Sequence, residues 1–163
     1  TMAESIGWLM MSDLFNTPFE ISMRILLTLL VSSGKSRTVD MIAAADFLTI
    51  YSRDFGIADY NLHGENSFNF SELASRRKLM NEAIKQLVVD GLIAVVRGKQ
   101  GFQYKLNARG KQVCDNYTTD YAAEYISLGQ DVYDFIDDKT ELEVMNLINN
   151  RATMARERRT DNG

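Results

Sequence analysis

Residues that build metal centres, disulfides and many catalytic sites are scarce in this sequence. Its 163 residues include one cysteine, Cys114, and one histidine, His63. A single cysteine excludes a disulfide within the chain, and one histidine with one cysteine falls short of the ligand set of a typical zinc site. We therefore expect no metal and no cofactor, and we expect the reducing setting of the cytoplasm.

Proline and long apolar runs are also rare. Pro18 is the only proline, and helix-forming residues dominate the chain. The longest apolar run, around Ile25–Val31, is far shorter than the roughly 20 residues that a membrane-spanning helix needs. The first residues also lack the pattern of a secretory signal peptide. The composition predicts a mainly α fold with a small β-hairpin, in a cytoplasmic protein without a membrane partner.

Motifs that are typical of enzymes are missing as well. The turn Gly34-Lys35-Ser36 lacks the first glycine of a phosphate-binding loop and follows a predicted helix instead of a strand. His63 has no serine or cysteine motif near it, and the pair Asp137-Asp138 lies in a run of charge without an apolar pocket. We therefore expect a binding protein and not an enzyme.

The clearest pattern covers Ser71–Leu106. Helical spacing of apolar residues predicts a helix up to Asp90, with Gly91 ending it in the left-handed conformation and basic residues such as Arg76 on its outer side. Two β-rich runs, Leu92–Arg97 and Phe102–Leu106, then flank a turn of hairpin length. A helix followed by a hairpin with a basic tip predicts a winged helix. The apolar helix positions are Leu73, Leu79, Met80, Ala83, Ile84, Leu87 and Val88.

Charge is divided unequally along the chain. Residues 71–111 contain nine Lys or Arg and three Asp or Glu, a net charge of +6, whereas the whole chain carries −4. This asymmetry indicates that different faces meet different partners, one of them a polyanion, although charges that merely solvate helix faces are the alternative. The candidate contacts to DNA or to a protein are Arg76, Arg77, Lys78, Lys85, Arg97, Lys99 and Lys105.

The remaining elements extend this pattern on both sides. We predict an N-terminal segment (1–13), a winged-helix-like domain (14–118, wing 92–106) and a C-terminal helical extension (119–159). Asp46 in the second helix either lies beside a positive group or faces solvent, and the sequence leaves both open. The other predicted elements are a helix from Pro18 to Val31, a helix over Thr38–Asp54, a long loop over Phe55–Phe70, a short helix opened by Asn107 or Ala108, and helices over Thr119–Phe135 and Thr140–Arg151.

An ordered set of short motifs between Asp13 and Tyr125 resembles the middle component of bacterial ABC-three-component systems, a group that includes the accessory subunit of Lamassu-type anti-phage and anti-plasmid defence. The motifs are Asp13-Leu14-Phe15-Asn16-Thr17-Pro18-Phe19-Glu20 with Arg24 and Leu26, Asp46-Phe47-Leu48, Ser52 and Asp54 with Gly56, Asn61-Leu62-His63-Gly64, Phe70-x-Glu72-Leu73 with Arg76-Arg77, and Gly91-Leu92 before Tyr104.

The resemblance implies a non-enzymatic subunit that assembles with an SMC/Rad50-like ATPase and a nuclease-type effector protein. Such a subunit bridges the two and restrains the effector until the complex senses foreign DNA. Arg76 and Arg77 are then either DNA contacts or salt bridges within the complex. Candidate docking residues are Phe15, Phe19, Leu62, His63, Phe68, Tyr121, Tyr125 and Phe135.

Two alternatives stay open on the sequence. The apolar stripes of the last two helices either close the core of this chain or bind another subunit. They consist of Tyr121, Ala122, Tyr125, Leu128, Val132 and Phe135, and of Leu142, Met145, Leu147 and Ile148. A stand-alone winged-helix transcriptional regulator is the rival function, and it requires a dimer that presents two helices about one DNA turn apart.

Overall fold

The computed structural model describes residues 17–64 and 70–161, with only the backbone for residues 70–72 and 152–161. These ranges are mainly helical, with six helices and one antiparallel hairpin, which confirms the predicted class. The segment 1–13, Phe15, Phe68 and the side chain of the predicted cap Ser71 lie outside what is described. The elements are α1 (Pro18–Val31), α2 (Val39–Ile50), α3 (Phe70–Val89), β1 (Ile93–Gly98), β2 (Gly101–Leu106), α4 (Ala108–Asp115), α5 (Asp120–Ile136) and α6 (Glu141–Asp161).

Helix α1 is the centre of the fold. The Thr17 hydroxyl accepts the Glu20 N–H at 3.2 Å, and Pro18 occupies the first turn, where no amide hydrogen is needed. The helix is apolar on most sides and almost completely buried from Ile21 to Leu29, because α2, α3, α4 and α5 all pack around it. Such an all-round apolar helix is typical of the interior of a bundle.

Helix α2 ends at Ile50, four residues before the predicted Asp54. The chain turns there because the Ser52 hydroxyl lies 3.1 Å from the Thr49 carbonyl oxygen and 3.2 Å from that of Tyr60. The Leu62 N–H also donates to the Ile50 carbonyl at 3.0 Å. The long loop therefore folds back over the end of α2, and its side-chain hydrogen bonds replace the next helical turn.

Helix α3 and the hairpin follow the predicted order closely. Gly91 has a φ of 77°, and the Leu92 N–H donates to the Leu87 carbonyl at 3.0 Å, which is the hydrogen bond of a glycine-terminated helix. Strands β1 and β2 pair from Ile93↔Leu106 at the base to Gly98↔Gly101 at the tip. Outside the hairpin, Arg37 pairs with Tyr104 through two backbone hydrogen bonds of 2.8 Å.

The stripe of α5 closes the core of this chain, which decides between the two alternatives that the sequence leaves open. Tyr125 and Val132 are fully buried, and Ile136 is 2% exposed. Val144 and Ile148 of α6 join the same cluster as Val132 and Ile136. Helices α5 and α6 are thus built into the two hydrophobic clusters that hold α1, α2 and α3 together.

Helix α6 runs ten residues beyond the predicted end at Arg151. The continuation contains three Arg and two Ala among its ten residues, and neither glycine nor proline occurs before Gly163. Within residues 17–64 and 70–161, no helix combines the length and the hydropathy that crossing a membrane requires.

Candidate functional site

Most of the predicted contact residues lie on the outer surface of α3 and the hairpin. Lys78 and Lys85 are exposed on α3, and Arg77 is 56% exposed and forms an ion pair with Asp40 of α2. Arg97, Lys99 and Lys105 are exposed on the hairpin. We call these six residues the basic surface. Its charge is accessible to a partner of opposite charge.

Arg76 does not belong to this surface, so the prediction that it lies on the outer side of α3 is wrong. It is 6% exposed, and its guanidinium donates to Asp46 Oδ2 at 3.0 Å. The reason is its helical position, four residues before Met80 and eight before Ile84, both fully buried. The sequence shows this spacing, but a charged residue is expected at the surface, so the pattern did not predict that Arg76 is buried.

Leu79 shows the reverse of the Arg76 discrepancy, because it is predicted to be buried and is exposed. The apolar pattern places it on the buried side of α3, yet it is 40% exposed. The buried stripe passes through Arg76, Met80, Ile84 and Leu87, and Leu79 lies beside that stripe instead of on it. Leu79 is therefore an apolar residue next to the basic surface.

One carboxylate, that of Asp46, joins four helices. Arg24 of α1 donates from Nε to Oδ1 at 3.0 Å, Tyr125 of α5 donates to the same oxygen at 2.6 Å, and Arg76 of α3 donates to Oδ2. Arg24, Asp46 and Tyr125 are fully buried. We call these four residues the Asp46 junction. Of the two alternatives that the sequence leaves open, Asp46 therefore lies beside positive groups and does not face solvent.

The electrostatics of the junction keep Asp46 ionised. Burial alone raises the pKa of this carboxyl, but the charges of Arg24 and Arg76 and the Tyr125 hydrogen bond more than offset burial and lower the pKa below its usual value. Burial and the nearby carboxylate raise the pKa of Tyr125 well above its ordinary value. Tyr125 therefore stays protonated and keeps its hydrogen bond, so it stabilises the core and is not accessible to a docking partner.

His63 and Tyr121 form a half-buried pair beside the junction. His63 Nε2 lies 2.6 Å from the Tyr121 hydroxyl, and the two rings stack with centroids 5.8 Å apart. Burial, aided by the charge of Arg24, lowers the pKa of His63 to about 3, so the imidazole is neutral at physiological pH. Burial raises the pKa of Tyr121 to about 12. The pair therefore holds the 51–64 loop against α5 as a neutral contact.

The other predicted docking residues differ in accessibility. Phe19 is 65% exposed and contacts the edge of the Tyr117 ring, with centroids 6.2 Å apart. Leu62 is half-buried against the core, and Phe135 lies 4.6 Å under the Lys139 ammonium. Phe15 and Phe68 are outside the described residues. Phe19 is the docking candidate that is most accessible among those described.

The groups with potential chemistry are mostly engaged or unreactive. Burial raises the pKa of the Cys114 thiol to about 11, which keeps it protonated. In the part of the chain that the structure describes, no cluster of three or more His, Cys, Asp or Glu side chains is arranged to hold a metal ion. A cavity of about 290 Å³ beside the turn that contains Lys35 is lined by Arg37, Tyr133 and Asp137 among others. The Arg37 guanidinium lies 4.7 Å from the centroid of the Tyr133 ring and 3.7 Å from Asp137, so both residues engage it.

A second charged surface lies on α5. Asp120, Glu124, Asp131 and Asp134 are all exposed, and their spacing puts them on one side of the helix. We call this the acidic face. It was not among the predicted site residues, although the acidic character of residues 115–143 is visible in the sequence.

The sequence matches a known protein family over most of its length. The sequence model described as ABC-three component (ABC-3C) system Middle Component 2 covers residues 14–158. Comparison with curated proteins and with solved structures gives no significant match.

Proposed function

The chain belongs to the ABC-three component (ABC-3C) system Middle Component 2 family, and from that premise we propose that it is a non-enzymatic accessory subunit. Its task is to bridge two other components of one assembly. The partners that we propose are an SMC/Rad50-like ATPase and a nuclease-type effector, in a DNA-sensing complex of the Lamassu type that acts against phages and plasmids. In this role the subunit restrains the effector until the ATPase engages foreign DNA.

The observation that carries the bridging role is the separation of two oppositely charged surfaces. The basic surface lies on α3 and the hairpin, whereas the acidic face lies on α5. Like charges four residues apart on a helix, such as Asp120 and Glu124, destabilise it slightly, so this pattern favours a cationic partner. Two surfaces of opposite sign are suited to two different partners.

The core supports a rigid bridge. The Asp46 junction connects α3, which carries part of the basic surface, to α5, which carries the acidic face, and also to α1 and α2. A buried charge network of this kind has one favoured arrangement, because any shift leaves a buried charge without its partner. A partner on one surface and a partner on the other are therefore held in a defined relative position.

The order of elements also supports the winged-helix interpretation. Helices α1, α2 and α3 precede the hairpin, and the Arg37–Tyr104 bridge joins the segment between α1 and α2 to the outer edge of β2. On this interpretation the hairpin is the wing. We propose that Lys78, Lys85 and Lys99 contact DNA phosphates without sequence preference when the complex is assembled.

The test of bridging is co-expression with the products of neighbouring genes, followed by affinity purification at low salt. We expect the double variant Lys78→Glu/Lys85→Glu to lose one component and Asp131→Lys/Asp134→Lys to lose a different one. Lys111→Glu, an exposed charge reversal on α4, is the matched control and retains both. Recovery of no other component with the unaltered chain would overturn the proposal.

The rival function, a stand-alone transcriptional regulator, makes a different prediction. It requires a dimer in sizing chromatography and protection of a palindromic DNA site by the isolated chain. For the assembled complex we expect instead that Lys78→Ala/Lys85→Ala weakens DNA binding and reduces the slope of log K against log salt by about 0.9 for each phosphate that the variant no longer neutralises.

A further inference from the structure

Within the described residues the outer edge of β1 is open, and the groups that point outward there follow from the backbone hydrogen bonds. The N–H and carbonyl of Tyr104 bond to Arg37, on the side of β2 that faces away from β1. Val95↔Tyr104 is therefore a pair without hydrogen bonds between β1 and β2. By the two-residue alternation of a strand, the N–H and carbonyl groups of Val95 and Arg97 point away from β2, whereas those of Ala94 and Val96 bond to it.

These outward groups have no hydrogen-bond partner among the described residues. The backbone bonds of the loops and the side-chain bonds within these residues include none to Val95 or Arg97. The side chain of Val95 is 47% exposed, and that of Arg97 is exposed as well. Residues 93–97 contain neither proline nor glycine, and β1 pairs with β2 without a bulge. Proline and a β-bulge commonly prevent a further strand from pairing with a sheet edge, and neither occurs at the edge of β1.

We propose that the edge of β1 at Val95 and Arg97 is a docking site for an extended, acidic segment of another component, which adds as a further strand to the hairpin. The N–H and carbonyl of each of these two residues would supply main-chain hydrogen bonds, and alternate side chains of the segment would supply specificity. The exposed Phe102 ring, with the Arg97 guanidinium 5.9 Å from its centroid, provides an apolar and cationic contact at the same end of the hairpin.

Charge identifies the occupant as acidic. Residues 92–106 of the hairpin contain three Lys or Arg and no Asp or Glu, so the hairpin attracts an anionic strand at close range. The same charges repel the hairpin of a second copy, which disfavours pairing of one β1 with another. The acidic residues of α5 are held in a helix and cannot supply a strand. An acidic extended segment of a different chain fits these conditions.

The first test uses hydrogen exchange of the full chain, alone and in the purified assembly. In the free chain we expect fast exchange of the Val95 and Arg97 amides and slow exchange of the Ala94 and Val96 amides. In the assembly, Val95 and Arg97 become protected. Three results would overturn the inference. The Val95 and Arg97 amides could exchange as fast in the assembly as in the free chain, duplex DNA alone could protect them, or their protection could grow with the concentration of the isolated chain.

The second test uses variants and a defined probe, a capped nine-residue peptide in which Val and Glu alternate. Val95→Pro removes an N–H that points away from β2 and leaves the hydrogen bonds between β1 and β2 intact. We expect the variant to bind the peptide about tenfold more weakly, which corresponds to the loss of roughly one or two hydrogen bonds. Arg97→Glu leaves the backbone intact and decides the result if Val95→Pro does not fold. It weakens binding several-fold at low salt, whereas Lys111→Glu changes it about twofold or less. Equal effects of Arg97→Glu and Lys111→Glu would contradict the edge site.

The inference rests on the proposed function only in taking its occupant from another component. If the assembly forms and neither Val95→Pro nor Arg97→Glu affects it, the edge site is wrong and the bridging role stands. If no assembly forms but the peptide binds and protects Val95 and Arg97, the bridging role is wrong and the edge site stands.

Discussion

Helix α3 contributes residues to both the Asp46 junction and the basic surface, but the charges of the junction are buried and those of the basic surface are exposed to solvent. Arg76 is 6% exposed and bonded to a buried carboxylate, whereas Arg77, the next residue, is 56% exposed and paired with Asp40 at the surface. Water screens the charge of Arg77 but not that of Arg76. Two adjacent basic residues therefore have different roles: Arg76 stabilises the core, whereas Arg77 leaves its charge accessible at the surface.

The largest expected effect is that of removing the central carboxylate. Asp46→Ala leaves two buried guanidinium groups without their carboxylate, and we expect a loss of about 3–5 kcal/mol in the free energy of unfolding. Urea unfolding monitored by circular dichroism measures it. Asp40→Ala, the same substitution in the surface pair, is the control, with a loss of about 1 kcal/mol or less. Equal losses would show that the junction is not stronger than a surface pair.

A smaller effect is expected from a single hydroxyl of the junction. Tyr125→Phe removes the 2.6 Å hydrogen bond to Asp46, and a bond to a charged acceptor contributes about 1.5–3 kcal/mol. Tyr133→Phe is matched to it, because Tyr133 is also buried and its hydroxyl lies 3.1 Å from the neutral hydroxyl of Thr28. For that control we expect a loss of about 1 kcal/mol. If both variants lose the same amount, the charge of Asp46 adds nothing to the bond.

Stability should also depend on pH through two buried groups, His63 beside the Asp46 junction and Asp46 within it. Burial lowers the pKa of His63 to about 3, whereas an unfolded histidine titrates near 6.5. The unfolded chain therefore binds a proton that the folded chain does not, and stability falls as pH drops from about 6.5 towards 3, by at most about 1.4 kcal/mol per pH unit. The lowered pKa of Asp46 has the same sign, but its stabilisation is lost only below about pH 4.

Urea unfolding at several pH values measures this slope, and His63→Gln isolates its source. We expect the variant to show a flatter dependence between pH 6.5 and about 3, while the part of the loss below pH 4 that comes from Asp46 remains. A slope that is the same in both proteins would assign the titration to a group other than His63.

The smallest expected effect on stability is that of Arg77→Ala. Its ion pair with Asp40 is exposed to solvent, so the free energy of unfolding should change by about 1 kcal/mol or less. Added salt should reduce even that difference, because exposed pairs are screened. Thermal unfolding at low and high salt measures both. A loss as large as that of Asp46→Ala would remove the distinction between the two regions.

Local patterns were sufficient for much of the fold. The predicted starts of α1 and α4 agree with the structure because their capping residues, Thr17 and Asn107, accept the first free amides of each helix. Gly91 marks the end of α3 for a similar local reason. The end of α2 was placed too late, because the bonds that turn the chain there come from Tyr60 and Leu62, which are distant in sequence.

The candidate site was predicted less completely. The exposed bases Lys78, Lys85 and Lys99 were recognised because surface charge is the default for lysine. Arg76 and Tyr125 were assigned to contacts with partners, since nothing in their neighbourhood along the chain reveals a carboxylate that comes from another helix. The sequence does not predict the open edge of β1, because that edge depends on whether the Arg37 segment pairs with β2 or with β1.

The amino-acid order is sufficient to predict the helical class, the hairpin, the charge division and, through its ordered motifs, the family. These properties depend on composition and on the spacing of residues that are close in sequence. The burial of particular charges depends on the folded chain, because Asp46, Arg24, Arg76 and Tyr125 meet from four helices. The fate of a charged residue depends on what the fold brings beside it, and a buried ion is tolerated only where its partners are already in place.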